Sequence, residues 1–250
     1  MTPSFWDRNQ LKLAPVFFLG PAFVLFFIYV IYPIFASLRI SFYEWDGYGE
    51  MTWLGFGNYI EMWHDDRVHV AFKNNLLWLV FFLLAPPLSL GLGVFLNQGF
   101  KELRFIKSLF FFPFVISPVV VGIIFSWFYN PKYGLLDSFL VGAGLESVAL
   151  LSNEDLVSFG IIIAAMWPQV AYCLILYMTG LAGLNQEMIE AGRIDGAKGW
   201  PMFWNIILPQ LKPATFIAVV VSVLGALRSY DLIAIMTQGG PWGSSTVLAY

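Results

Sequence analysis

Charge is what this chain lacks most. Only 12% of its 250 residues are Asp, Glu, Lys or Arg, 59% are hydrophobic, and the mean hydropathy is +0.73. Soluble domains carry roughly 25% charged residues, so the composition excludes an ordinary soluble globule and implies a membrane protein. Cysteine is nearly absent too. Cys173 cannot form an internal disulfide and reads as a small packing residue in an apolar run. The two histidines, His64 and His69, lie near Asp65 and Asp66, a spacing that matches no strong metal-ligand pattern. No Gly-x-x-x-x-Gly-Lys-Ser/Thr segment cradles nucleotide phosphates, and no nucleophile and base stand at a specific spacing. Nothing positive points to an enzyme, a metal site or a cofactor.

What is there is a succession of long apolar runs. Near-continuous hydrophobic character over about 14–38, 76–96, 106–128, 157–182 and 214–236 predicts five spans in one all-α polytopic membrane domain covering 1–250. Arg8 and Lys12 ahead of the first run would also suit a secretory signal. That run exceeds the roughly 7–15 residues of a signal core and more spans follow, which favours an uncleaved helix. Arg8, Lys12, Lys101, Arg104, Lys107, Arg193, Lys198 and Lys212 fall on the side of the N-terminus and of the second and fourth loops, which the positive-inside rule makes cytoplasmic. Acidic residues from Glu44 to Asp66 and from Asp137 to Asp155 fall opposite. The run "STVLAY" at 245–250 turns apolar again, as though a sixth span were starting in a chain whose C-terminus is truncated.

Charge and proline concentrate in one place, "EAGRIDGAKGWPMFWNIILPQLKP" from Glu190 to Pro213. Asn185 can cap a helix that starts at Gln186, with Glu187 favourably placed in its first turn, and that helix is expected to run to about Ile194. Gly196 permits a left-handed turn, and Pro201 suits the first turn of a second short helix. That helix is expected to end near Leu208, because Pro209 disfavours helical backbone in the residue before it. The result is an L of two helices over about 184–213 on the cytoplasmic face. Its apolar residues, among them Met188, Ile189, Phe203 and Trp204, need a covering surface. Periodicity alone leaves two readings: an interfacial amphipathic connector, or a docking element for another protein.

The same stretch resembles the EAA motif of ATP-binding-cassette importer permeases, Glu-Ala-Ala, three residues, Gly, nine residues, Ile, one residue, Leu-Pro. Glu190, Ala191, Gly196, Ile206, Leu208 and Pro209 fall in register, and Gly192 replaces the second alanine. "SFYEWDG" at 41–47, "LGFGNY" at 54–59, Asn74 and "DLIAIMTQGGP" at 231–241 are similar to the carbohydrate branch of that family. The resemblance implies a type I importer transmembrane fold and a common core of six spans. It implies a transport subunit, without catalysis of its own, in a bacterial or archaeal plasma membrane. The implied partners are a second homologous permease, two cytoplasmic ATPase subunits and an extracytoplasmic solute-binding protein. It also implies that Glu190, Ala191, Gly192, Asp195, Gly196 and Ala197 form an ATPase-coupling element, and that the solute is a sugar, oligosaccharide or polyol.

Polar residues inside spans are costly and tend to face a bundle interior or an aqueous path. Gln169 and Tyr172 can share a face of the fourth span, and Ser222, Ala226 and Ser229 form a stripe on the fifth with Gly225 beside it. These are candidates for a solute pathway. Small residues in a stripe equally serve helix packing, and Tyr172 and Tyr230 could stack on sugar rings or anchor at an interface. Arg228 and Asp231 could form a local ion pair or a gate. "TQGGPWG" at 237–243 predicts a tight loop. A secondary transporter or membrane scaffold is the competing class, although ion coupling would call for buried ionisable residues that these span cores almost entirely lack.

Overall fold

The computed structural model describes residues 5–97 and 103–250, with side chains described over 14–97 and from 105 onward. Arg8, Lys12, Lys101 and Arg104 of the basic set lie outside the described side chains. The chain divides into two compact units, 1–65 and 66–250.

The first unit is dominated by α1, helical over Phe5–Phe26, through a π turn at Phe27–Ile31, and on through Tyr32–Ile40. Its apolar stretch Ala14–Ile40 has 27 residues, none of its most apolar window being buried within the chain. At 1.5 Å per residue that is about 40 Å, enough to cross a hydrocarbon core of about 30 Å. The π turn lies just ahead of Pro33, whose ring would clash with the carbonyl four residues back in a regular helix. A two-stranded hairpin follows, β1 (Tyr43–Glu44) and β2 (Thr52–Trp53), antiparallel with Tyr43 opposite Trp53. Helix α2 (Gly57–His64) completes the unit. The Asn58 amide donates to Ser41 O and Tyr43 O, and Ser41 Oγ lies 2.6 Å from the Tyr59 hydroxyl. At the hairpin tip, backbone N–H groups of Gly49 and Tyr48 donate to Asp46 and hold its carboxyl below the usual carboxylate range.

The second unit is built around one helix. In chain order its helices are α3 (Asp66–Phe82), α4 (Ala85–Leu96), α5 (Leu103–Val115), α6 (Pro118–Phe128), α7 (Leu135–Gly142), α8 (Val157–Ala182), α9 (Gln186–Ile194), α10 (Trp200–Gln210), α11 (Lys212–Leu227) and α12 (Asp231–Met236). Helix α8 packs against α3, α4, α5, α6, α11 and α12. Small buried residues, Ala164, Ala165 and Ala171, let those neighbours approach closely, and Gly160 makes room for Leu150 of the preceding connection. Among the described residues the core has two main clusters, Trp78, Phe82, Ile161 and Ile233 toward one end and Cys173, Tyr177, Leu181 and Leu211 toward the other, with a third, smaller one at Leu96 and Leu174.

Among the described residues, three helical stretches are long and apolar enough to cross a membrane, Ala14–Ile40, Asp66–Leu96 (α3 and α4 joined by a short turn) and Val157–Ala182, and two bent pairs raise the number to five if each pair is one span. The fourth expected span, 157–182, matches α8 to the residue. The second begins earlier than expected, at Asp66, because the polar residues that lower hydropathy there still form helix and Asp66 suits its positive end.

Two expectations need correction. The run 106–128 is not one helix: α5 and α6 meet at 104°. Pro118 pushes Ser117 into extended backbone (ψ 148°), and the Ser117 hydroxyl then caps α6 by accepting from Val120 N. The run 214–236 is likewise interrupted, because α11 ends at Leu227 and α12 starts at Asp231. There the Ser229 hydroxyl donates to Ala226 O at 2.8 Å, a local bond that competes with helix continuation. The apolar run 245–250 forms turns rather than helix.

Candidate functional site

The L over 184–213 is built mainly from local signals. Asn185 stands in extended backbone and its side-chain oxygen accepts from Glu187 N at 2.8 Å and Met188 N at 3.3 Å, which starts α9 at Gln186. At the other end Gly196 takes φ +82°, Gly196 N donates to Arg193 O and Ala197 N donates to Gly192 O at 2.8 Å. This paired closure satisfies the last carbonyls of the helix and reverses the chain, and it requires a left-handed residue at position 196. Helix α10 runs past the expected end at Leu208, to Gln210, through a π turn at Phe203–Ile207. Pro209 lies just beyond that turn, the same arrangement as Pro33 in α1, so proline here loosens the helix rather than stopping it. The bend comes at Leu211, where α10 and α11 meet at 70°.

The faces of the L divide the candidate residues. Glu190, Ala191, Asp195 and Gly196 are exposed and Ala197 is half-buried. Gly192 is buried: a Cβ there would run into Ile206 Cδ1, so this glycine serves the contact between α9 and α10 and not the outer face. Ile189 and Met202 are buried with it. Ile194 is 87% exposed and Trp200 70% exposed, beside the half-exposed Met188 and Trp204. Sequence reasoning passed over Ile194. Its isolation opposite the buried Ile189 was the available signal.

The pathway candidates separate into two environments. Gln169 Nε2 donates to Ser222 Oγ at 2.9 Å, and Ser222 Oγ donates to Ala218 O at 2.8 Å, which bridges α8 to α11. Ser222 and Ala226 are fully buried and Ser229 half-buried. Tyr172 is not part of this group; its ring stacks on Phe114 with centroids 5.2 Å apart. Among the described residues no ion pair joins Arg228 to Asp231. Instead both line a hollow of about 140 Å³ with Trp78, Phe82, Gly225 and Tyr230. Small-molecule sites usually occupy about 300–1,000 Å³.

A third polar cluster holds the segment after α12. The Asn74 amide donates to Ser244 O at 2.7 Å and to Thr246 O at 2.8 Å, and its oxygen accepts from the Ser158 hydroxyl at 3.2 Å. Asn75 accepts from Leu248 N at 2.7 Å and donates to Ala226 O at 3.3 Å. Both asparagines are buried. The loop they hold turns tightly through Gln238 and Trp242, both at positive φ, and leaves the Trp242 ring 94% exposed.

Comparisons with known proteins agree with this architecture. The family model described as "Binding-protein-dependent transport system inner membrane component" matches residues 85–250. The chain is 34% identical over 247 residues to the probable ABC transporter permease protein YurN of Bacillus subtilis, covering 96% of this chain and 84% of that protein. It is 28% identical over 245 residues to the alpha-glucoside transport system permease protein AglF of Rhizobium meliloti, covering 94% of this chain and 71% of the relative. Its fold is similar to that of a chain in the crystal structure of a bacterial ABC transporter involved in the import of the acidic polysaccharide alginate. That match has a TM-score of 0.80 at 22% identity and covers 98% of this chain and 83% of the other.

Proposed function

The chain belongs to the family of binding-protein-dependent transport system inner membrane components, and we propose that it is the permease subunit of an ATP-driven importer for a sugar, oligosaccharide or polyol. The relative named for alpha-glucoside transport supports that solute class. ATP hydrolysis belongs to two partner subunits, a second homologous permease completes the pathway, and a solute-binding protein delivers the cargo. The N-terminus and the 184–213 loop face the cytoplasm in this reading, which the basic residues Lys107, Arg193, Lys198 and Lys212 support.

The outer face of α9 carries the proposal. Glu190, Ala191 and Gly196 stand exposed in register with the EAA pattern, with Asp195 exposed next to them, beside Ile194, which none of the described residues covers. One exposed apolar side chain is ordinary, but the L exposes Met188, Ile194, Trp200 and Trp204 together, which calls for a covering surface, and the small residues beside Ile194 permit close approach. A coupling element biases an equilibrium only if its contacts differ between two states. Seating α9 in an ATPase cleft would provide that difference, and the bend at Leu211 would pass it to α11. The bridge from Gln169 to Ser222 lies between the two spans that flank the loop, so their relative movement would open or close the pathway there.

The test is copurification with the ATPase subunits and uptake by the reconstituted complex with its binding protein. Ile194→Asp and Glu190→Arg are expected to weaken ATPase retention while leaving membrane insertion normal. Full retention by both variants would overturn the docking reading.

A further inference from the structure

Helix α9 has an incomplete N-terminus by local means. A capping box closes such an end with two bonds: the capping side chain accepts from the first turn, and a Glu or Gln in that turn reaches back to the N–H of the capping residue. Asn185 supplies the first bond. The residue placed for the second is Met188, which cannot accept it. The Asn185 N–H instead donates to Gln210 Oε1 at 2.9 Å, across 25 residues of chain. The other end of the same amide, Gln210 Nε2, donates to Ile206 O at 3.0 Å in the last turns of α10. Both ends of the side chain are thus engaged, one on each arm of the L.

The next residue is the bend itself. Leu211 is fully buried, and a Cβ added to Gly180 on α8 would stand 2.9 Å from Leu211 Cδ2 and 3.2 Å from Ala214 Cβ. The start of α11 therefore bears directly on α8. Among the described residues, the Gln210 bond is the one hydrogen bond that joins the 184–198 arm to the 200–213 arm. Otherwise the arms meet through Gly192, Met202 and Ile206, apolar contacts that resist separation more than sliding.

We propose that Gln210 is a positioning residue for energy coupling: its amide closes the L into one body, so that a displacement imposed on α9 reaches α11 at Leu211 without slack. This rests on the reading of 184–213 as the ATPase-docking loop. Gln210 touches neither solute nor nucleotide in this scheme and acts through Asn185.

The experiment uses the complete complex, with partner permease, ATPase subunits and binding protein, in proteoliposomes. It measures solute moved per ATP hydrolysed, together with ATPase retention on copurification. Gln210→Leu keeps the side-chain bulk and loses both bonds, and is expected to lower the ratio about fivefold, the equivalent of one hydrogen bond. Gln210→Glu keeps an acceptor for Asn185 N–H and is expected to recover most of that loss. An unchanged ratio in Gln210→Leu overturns the proposal. So does an equal loss of ATPase retention in both variants, since a purely structural role gives no rescue by Glu. A failure of the docking reading would show separately, as normal uptake and retention in Gly196→Trp run alongside.

Discussion

The segments before α11 and after α12 are both loops rich in glycine and proline, yet they are fastened differently. The 184–213 loop holds its own shape, through the Asn185 cap, the closure at Gly196 and the seat of Ile206 over Gly192, and its outer face stays uncovered. The 237–250 segment has internal bonds too, Thr237 Oγ1 to Ser245 Oγ at 2.9 Å and Ser245 Oγ to Gly240 O at 2.7 Å, but it is also stitched to the spans, by Asn74 and Asn75 of α3 and Ser158 of α8. A loop that must meet a soluble partner needs a surface that persists when the spans move. A loop stitched to the spans by buried amides moves with them, and the stitches are strong because an unpaired amide in an apolar surrounding is costly.

The largest effect expected from breaking this contrast lies at Gly196. Gly196→Trp places a bulky side chain at φ +82°, in the face proposed to meet a partner, and uptake is expected to fall to background at normal expression and insertion. Normal uptake by that variant would sink the idea of a partner-facing L. Asn74→Leu comes next. It leaves Thr246 O without its side-chain donor and Ser244 O with the Ser158 hydroxyl alone, and is expected to cost about 3 kcal/mol, read as a lower unfolding temperature in detergent and new protease cleavage between 237 and 248. Cleavage unchanged from the parent would mean that the loop holds its own shape after all. Gly192 tests the inner seam of the L. Gly192→Leu is expected to cost about 2 kcal/mol by overpacking. Gly192→Ala should cost about 1 kcal/mol, because only the mobile tip of Ile206 must turn away. Equal effects from both would show that the seam is loose. The smallest effect belongs to Gln169 and Ser222. Each alanine substitution should cost about 0.6 kcal/mol, typical of a hydrogen bond between membrane helices, with strong coupling in a double-mutant cycle. A changed transport KM in Gln169→Ala that Ser222→Ala does not reproduce would favour solute contact over packing.

Much of the L was legible because its signals are local. Asn185, Gly196 and Pro201 each act within a few residues, and α9 begins and ends where they place it. Proline misled twice, in opposite directions. Pro209 reads as a stop, yet the π turn at Phe203–Ile207 carries the helix past it. The Ser117-Pro118 pair sits inside a continuous apolar run that hydropathy scores as one span, although the extended residue it demands breaks the helix. The buried asparagines were visible as residues but not as a clamp, since their partners lie 84 to 173 positions away. Gln210 escaped for the same reason. Its role depends on a cap 25 residues upstream, a distance at which no periodicity survives.

The break at Ser117 has a consequence for how the protein is made. Helices α5 and α6 have 13 and 11 residues, so each is about 17–20 Å long, too short to cross about 30 Å of hydrocarbon by itself. The break at Ser117 is itself exposed, and the helices on either side of it pack against later parts of the chain, α5 on α8 and α6 on α8 and α12. As the chain leaves the ribosome, 103–128 therefore emerges before its seat exists. The final packing of α5 and α6 is therefore completed only once 157–236 has followed them.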